Sequence, residues 1–476
     1  MPGIQASTTT FPTPGTQPIK GNVYYVAGDD LQANDDNNGL FPEYQGEQEG
    51  PWKTIRHSAA VMQAGDTTYV RAGTYQEAGV VFANSGVPGK WITLANYAGE
   101  EPVMDGSSIT DALPGIGITG SGGYIMIQGL IIQNMPSSGI VTDDNTTTPH
   151  QEISIRDCTL SGNGRLDEYG SGISLSAVEG FVVANVESHD NAYYGLVVGS
   201  SRDGSLSSAG GIIQDSRFYN HTGTEGHGLA INQGHDILVK DNVAFHNRIH
   251  GIDLSDWPKE GEVSHDITLE GNQSYDNGVA GFSVNSDSNH IRYQRNIAWG
   301  NGAKWAGHGT SSGFLCYNGC WHVEWLNNVA VGNSDCGFRV DDHPGVYTPN
   351  ADSQLVFHNN IGYMNGKSEW NERPALVVSE SGWQITATYN NWGGEAGKNA
   401  PVVGLGEGGT MTAYTSDQIN QSAFQEHNLS VDPLFVDLSG LNWRLQPGSP
   451  MIDAGMDVGL SFCGSAPDLG AIEFCP

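Results

Sequence analysis

Two stretches of this chain bring chemically able side chains close together. RIHGIDLSDWP, spanning Arg248–Pro258, holds His250, Asp253, Asp256 and Trp257. GFRVDDHPG at 337–345 holds Arg339, Asp341, Asp342 and His343. A neutral imidazole takes up a proton near neutral pH or ligates a transition metal. A carboxylate orients such an imidazole or joins it as a ligand, and a guanidinium grips an anion. HGLAI at 227–231 repeats the frame of HGIDL at 250–254, so His227 belongs with His250 and Asp253.

That frame recurs along the middle of the chain. A small or polar residue precedes Gly, and apolar–x–apolar follows, in SGIVT (138–142), SGISL (171–175), YGLVV (194–198), HGLAI, HGIDL, AGFSV (280–284), SGFLC (312–316) and CGFRV (336–340). A second unit has Asn at both ends of a short alternating strand, as in KDNVAFHN (240–247), EGNQSYDN (270–277) and QRNIAWGN (294–301), with LNNVAVGN (326–333) and HNNIGYMN (358–365) beyond. A third strand lies just upstream of each, as in DILVK and DITLE. Three short strands per repeat, with turns of variable length, predict an all-β fold, a single right-handed parallel β-helix. Each coil of it buries its apolar residues against its neighbours. Asn tolerates the left-handed backbone at corners, and stacked Asn side chains hydrogen-bond from coil to coil.

In that register the residue before Gly and the residue two after it point outward. His227 then stands one coil from His250, with Asp253 on the same strand, at a strand spacing of about 4.8 Å. The three could hold one divalent metal. Two imidazoles favour a transition metal over calcium, which takes oxygen ligands. No organic cofactor is expected. Arg339 is three coils from His250, roughly 14 Å, and suits a clamp on a neighbouring carboxylate. His235, His265, His290 and His322 each fall just before or at the start of a strand and read as corner residues. Asn220 and Asn272 match the glycosylation pattern but are expected inside the ladder. Trp257, Trp305 and Trp370 fall in turns and suit sugar stacking, whereas Trp299 reads as core.

With 20 Lys+Arg against 53 Asp+Glu, the formal charge is −33. Nucleic acid and anionic membranes are therefore poor partners. No apolar run is long enough to span a membrane. Residues 1–20 read as a linker. Residues 21–476 read as one domain with an N-terminal cap (about 21–110) and a closing segment (about 400–476). Residues 53–63 are expected to form a short helix over the open end of the solenoid. Cys463 and Cys475 flank a short loop and could pair, and Cys316, Cys320 and Cys336 read as structural or buried thiols.

GDTTYVRAGTY (65–75) and the terminal DPLFVD, PGSPMIDAG and DLGAIE resemble elements of secreted bacterial β-helix proteins, polysaccharide lyases among them. The outward columns resemble polysaccharide lyase family 9, the pectate lyases with a calcium site on a β-helix. That family's carboxylate positions map onto His227, His250 and Asp253, and only Asp253 keeps a carboxylate. Its lysine base maps onto Ser283, Leu315 or Arg339. The GHG at 226–228 and 307–309 resembles a catalytic element of β-helix polygalacturonases, without their paired aspartates. The resemblance implies an exported, monomeric enzyme that cleaves a uronate-containing polysaccharide by β-elimination. In that reading His250 is base or ligand, Asp253 and His227 are ligands or orienting groups, and Arg339 is a clamp. Asp256, Trp257, Asp341, Asp342 and His343 would contact substrate. An inverting glycoside hydrolase using Asp253 and Asp256 is the alternative, and a non-catalytic carbohydrate-binding β-helix is the second.

Overall fold

The computed structural model describes residues 21–120, 122–255, 263–302, 311–341, 354–366, 375–378, 383–393, 401–407, 410–415, 417–420 and 426–475. Asp256, Trp257, Trp305, Asp342, His343, Trp370, the second GHG and the expected linker lie outside them. The chain divides into two compact units, one ending at Leu238 and the other beginning at Val239.

In the first unit every coil gives one strand to each of three parallel sheets. Ile140–Thr142 pairs in parallel with Ile116–Ile118 and Ile173–Ser176. Thr159–Ser161 pairs with Glu187–His189, and His150–Arg156 with Val178–Ala184. Alternation puts Ile153, Ile155, Phe181 and Val183 inside, all fully buried. The helix α1, Ile55–Val61, is the expected cap, a turn shorter than the 53–63 stretch. It begins where Thr54 Oγ1 accepts the His57 amide at 3.1 Å, and where the Glu77 carboxylate accepts the Ile55 and Arg56 amides. It packs on Val23–Val26 and Val80–Val81, the first strands of their sheets.

The second unit carries the asparagine ladders. Nδ2 of Asn242, Asn272, Asn296, Asn328 and Asn360 each donates to Oδ1 of the next rung at 2.9–3.1 Å. The run continues through Asn390 to Asn428. A parallel ladder links Asn247, Asn277, Asn301, Asn333 and Asn365. The second amide hydrogen is used too, as where Asn272 donates to the Val239 carbonyl at 2.8 Å. The left-handed corner is the residue before the ladder Asn: Asp241, Gly271, Arg295, Asn327 and Asn359 have φ between 53° and 66°. The inside of the turn and the strained backbone are thus assigned to neighbouring residues.

One sequence expectation needs correction here, and the cysteine reading is made specific. Asn272 is fully buried on the ladder as expected, but Asn220 is a half-buried corner residue with φ 60°. The ladder place next to it belongs to His221, whose Nδ1 accepts the Asn191 amide at 3.3 Å. Of the clustered cysteines, Cys316 is paired with Cys320, and Cys336, like Cys158 elsewhere, is buried and outside any disulfide. Cys463 pairs with Cys475 as expected.

The C-terminal segment lies along a flank. Phe435, Trp443, Leu445, Met451 and Leu469 pack on Ile297, Trp299, Val329, Val331, Ile361 and Tyr363, outward residues of one sheet. Trp299 is buried as expected, but beneath this segment and not inside the coils. Among the described residues no helix is long and apolar enough to cross a membrane.

Candidate functional site

The candidate face is built in the second unit from four strands. These are β1 (His250–Ser255), β2 (Ala280–Asn285), β3 (Ser312–Tyr317) and β4 (Cys336–Asp341), paired in parallel in that order. Register places Asp253, Ser283, Leu315 and Arg339 in one column, and Asn285, Tyr317 and Asp341 in the next. The inward column Ile252, Phe282, Phe314 and Phe338 sets that register. Its phenyl rings stack face to face at 4.8 and 4.9 Å. A one-residue slip would turn these rings to solvent. Gly251 is required by close approach: a Cβ there would run into Ser274 Oγ and lie 2.8 Å from Asn277 Nδ2 and from the Gly281 carbonyl.

A ring nitrogen of His250 and a carboxylate oxygen of Asp253 lie within 4.8 Å of each other. Asp253 is 5% exposed, and its Oδ1 accepts from Asn285 Nδ2 at 3.3 Å. Tyr293 lies beneath, its hydroxyl donating to the Ser283 carbonyl at 3.3 Å. Burial first, and the charge of Asp253 second, push the Tyr293 phenol well above its ordinary value. The Ser283 hydroxyl, beside Asp253 in the register, has no hydrogen-bond partner among the described residues.

His227 stands in the first unit, just before the strand Leu229–Asn232. It is 5% exposed, its Nε2 lies 3.5 Å from Glu225 Oε2, and its ring lies 5.4 Å from that of Tyr194. Glu225 escaped the sequence reading, although it sits two residues ahead of His227 in TEGHGL. Calcium takes six to eight oxygens. An imidazole beside a carboxylate, as His250 and Asp253 offer, suits a borderline transition metal better.

Arg339 and Asp341 are brought together. Nε and Nη2 of Arg339 reach Asp341 Oδ2 at 3.0 and 2.6 Å, with side-chain exposures of 11% and 19%. Burial works against the Arg339 charge, but Cys336 and Asp341 outweigh it and keep the guanidinium above its ordinary value. The cation expected to clamp substrate is therefore already matched by its own neighbour. Of the expected corner histidines, His290 and His322 hold the left-handed corner, whereas beside His235 and His265 it falls on Asp236 and Asp266. His235 and His265 bond to Asp236 and Asp266 at 2.8 and 2.7 Å, and His290 and His322 stack at 4.7 Å with positive φ.

Trp321 is the functional candidate that the sequence reading passed over. It is half-buried beside the turn that the Cys316–Cys320 disulfide closes, and the signal was the spacing C-x3-C-W.

A family profile described as "Pel9A-like, right handed beta helix region" matches residues 37–313. "Uncharacterized protein YwoF" of Bacillus subtilis (strain 168) is 26% identical over 318 residues, 54% of this chain and 66% of that protein. "Pectate lyase L" of Paenibacillus polymyxa (strain SC2) is 25% identical over 272 residues, 46% and 58% of the two chains. The chain thus spans less than two thirds of either relative. The crystal structure of pectate lyase Pel9A superposes with a TM-score of 0.54 at 18% identity, covering 95% of this chain and 96% of that one.

Proposed function

This chain belongs to the Pel9A-like right-handed β-helix family, and from that premise we propose that it cleaves a uronate-containing polysaccharide by β-elimination on the outward face of β1–β4. The observation that carries this reading is the closeness of the His250 imidazole and the Asp253 carboxylate, within 4.8 Å of each other on one strand. Elimination removes the proton at C5 and expels the glycosidic oxygen at C4. An imidazole titrates in the range a general base needs. Asp253 is fixed by the Asn285 amide, so it can orient the ring and stabilise the imidazolium once the proton has moved.

Arg339 enters this reading as a group that would hold a substrate carboxylate only by sharing itself with Asp341. The two disulfides agree with an oxidising destination and so with export. A monomer and a polysaccharide partner are part of the same proposal.

A second reading is favoured by the donor types. His250 and Asp253 are donor types that suit a divalent transition metal. Such an ion would supply charge neutralisation for the uronate carboxylate. His250 cannot serve as ligand and base through one nitrogen, so the two readings exclude each other at that atom.

Incubation with uronate polymers, read by the ultraviolet absorbance of the unsaturated product, tests the reaction. New reducing ends without that absorbance would favour the hydrolase with Asp253 and Asp256, and binding without either product a carbohydrate-binding solenoid. Metal analysis and activity after chelation separate base from ligand. Unchanged activity in metal-free protein supports the base, and loss restored by a transition metal supports the ligand set.

A further inference from the structure

The coils cover their large apolar side chains, with one exception. Among the described residues between Leu113 and Val431, Leu166 and Tyr169 are the two such side chains left exposed, at 49% and 63%. Both stand on one turn of the first unit, residues 163–171, ahead of the strand Ile173–Ser176. A single exposed apolar residue is ordinary, but two on one turn that join further aromatic rings make a patch. The Tyr169 ring lies 5.3 Å from that of Tyr193 on the next coil, edge to face, and Tyr193 lies 4.1 Å from Tyr194. Tyr193 and Tyr194 are half-buried. Tyr194 holds, before Gly195, the frame position that His250 holds before Gly251.

The backbone under these rings is fixed. Ser137 Oγ donates to Asp167 Oδ2 at 2.9 Å, and the Tyr169 amide donates to Asp167 Oδ1 at 3.1 Å. The next coil is tied on, where the Tyr193 amide donates to the Gly170 carbonyl at 3.0 Å and the Ala192 amide to the Asn163 carbonyl at 2.9 Å. Beneath both turns Asn163 Nδ2 donates to Asn191 Oδ1 at 2.9 Å. Gly164 has φ +91°, and a Cβ on it would meet the Ala192 Cβ at 2.5 Å, so the two turns approach closely. Burial, the larger effect, pushes the Tyr193 phenol up against the bond it shares with Tyr194, so it stays protonated.

A tyrosine offers an apolar ring face and a hydroxyl at its tip, and loses little freedom on being fixed. A pyranose ring offers the complement, a C–H face with hydroxyls at its edge. Two exposed apolar side chains, flanked by exposed Arg165 and Glu168, fall short of the apolar core that a stable protein interface needs. We propose that Tyr169, with Tyr193 and Tyr194 behind it, is a stacking platform for one sugar ring of the polysaccharide. It is a binding position on the first unit that takes no part in the chemistry at His250. This rests on the polysaccharide reading above and adds a site that holds the chain.

The test uses the full chain carrying His250→Ala, with polygalacturonate, alginate and xylan as probes. Calorimetric titration should show that adding Tyr169→Ala weakens binding of the preferred polymer about tenfold, whereas Tyr169→Trp keeps it. Tyr169 is exposed, so an unchanged thermal midpoint serves as the folding control. With His250 intact, Tyr169→Ala should raise KM by a similar factor and leave kcat in place. Equal binding by Tyr169→Ala, or binding of none of the three probes, overturns the platform. A change of oligomeric state on Tyr169→Ala without loss of polymer binding also overturns it, and makes the patch a contact between copies. Tyr169-dependent binding with no unsaturated product from the unmutated protein would leave the platform standing and remove the lyase reading. Unsaturated product formed at an unchanged KM by Tyr169→Ala would do the reverse.

Discussion

At the scale of single residues, the decisive point is how charge is matched on the outward face of β1–β4. Arg339 and Asp341 are nearly buried and satisfy each other. Arg339→Ala should therefore act first on stability, lowering it by about 3 kcal/mol, because it leaves a carboxylate uncompensated in a poorly solvated place. Urea denaturation checks this, and replacing both residues with apolar ones should recover much of the loss. His250 and Asp253 were legible because their letters interrupt a strict apolar frame. The bond from Asn285 to Asp253 was not legible, since it joins residues a full coil apart through an amide that the frame treats as ordinary. Trp321 was passed over for a similar reason: only the closed disulfide turn tells a corner indole from a core one.

At the scale of elements, the ladders decide how much each coil depends on the next. Asn296→Ala would remove the acceptor for the Asn272 amide and side chain, and would strip the Leu269 carbonyl of its donor. Buried polar groups left unpaired cost about 1–3 kcal/mol each, so a loss of at least about 3 kcal/mol is expected in thermal unfolding. In the first unit the ladder is interrupted by His221, which burial holds at a pKa of about 4. An unfolded histidine titrates near 6.5. Between those values the unfolded chain binds a proton that the native chain does not, so this residue makes stability fall as pH drops from about 6.5 to about 4. His221→Asn restores an amide to the rung, and a pH series of melting temperatures should show a shallower acid decline for it. The Asn spacing announced the ladder, yet the corner backbone was assigned one residue late. Spacing alone cannot separate the inward amide from the left-handed residue just before it.

At the scale of the whole molecule, the sequence made the coil repeat plain, because each strand set must bury its face against the next. The course of the last part was not plain. The terminal motifs suggest closure, and the structure lays them along the outward residues Ile297, Trp299, Val329 and Tyr363 of the second unit. That packing is long-range and leaves no period to read. Trp443→Ala should uncover this flank, at a cost of about 3–5 kcal/mol in chemical denaturation. The measurement that bears most directly on the central claim is initial-rate formation of unsaturated uronate product by the unmutated protein, His250→Ala and Asp253→Asn on one uronate-containing polysaccharide. The account predicts product from the unmutated protein and a drop of about a hundredfold or more in each variant with folding intact. Full turnover by His250→Ala would contradict it.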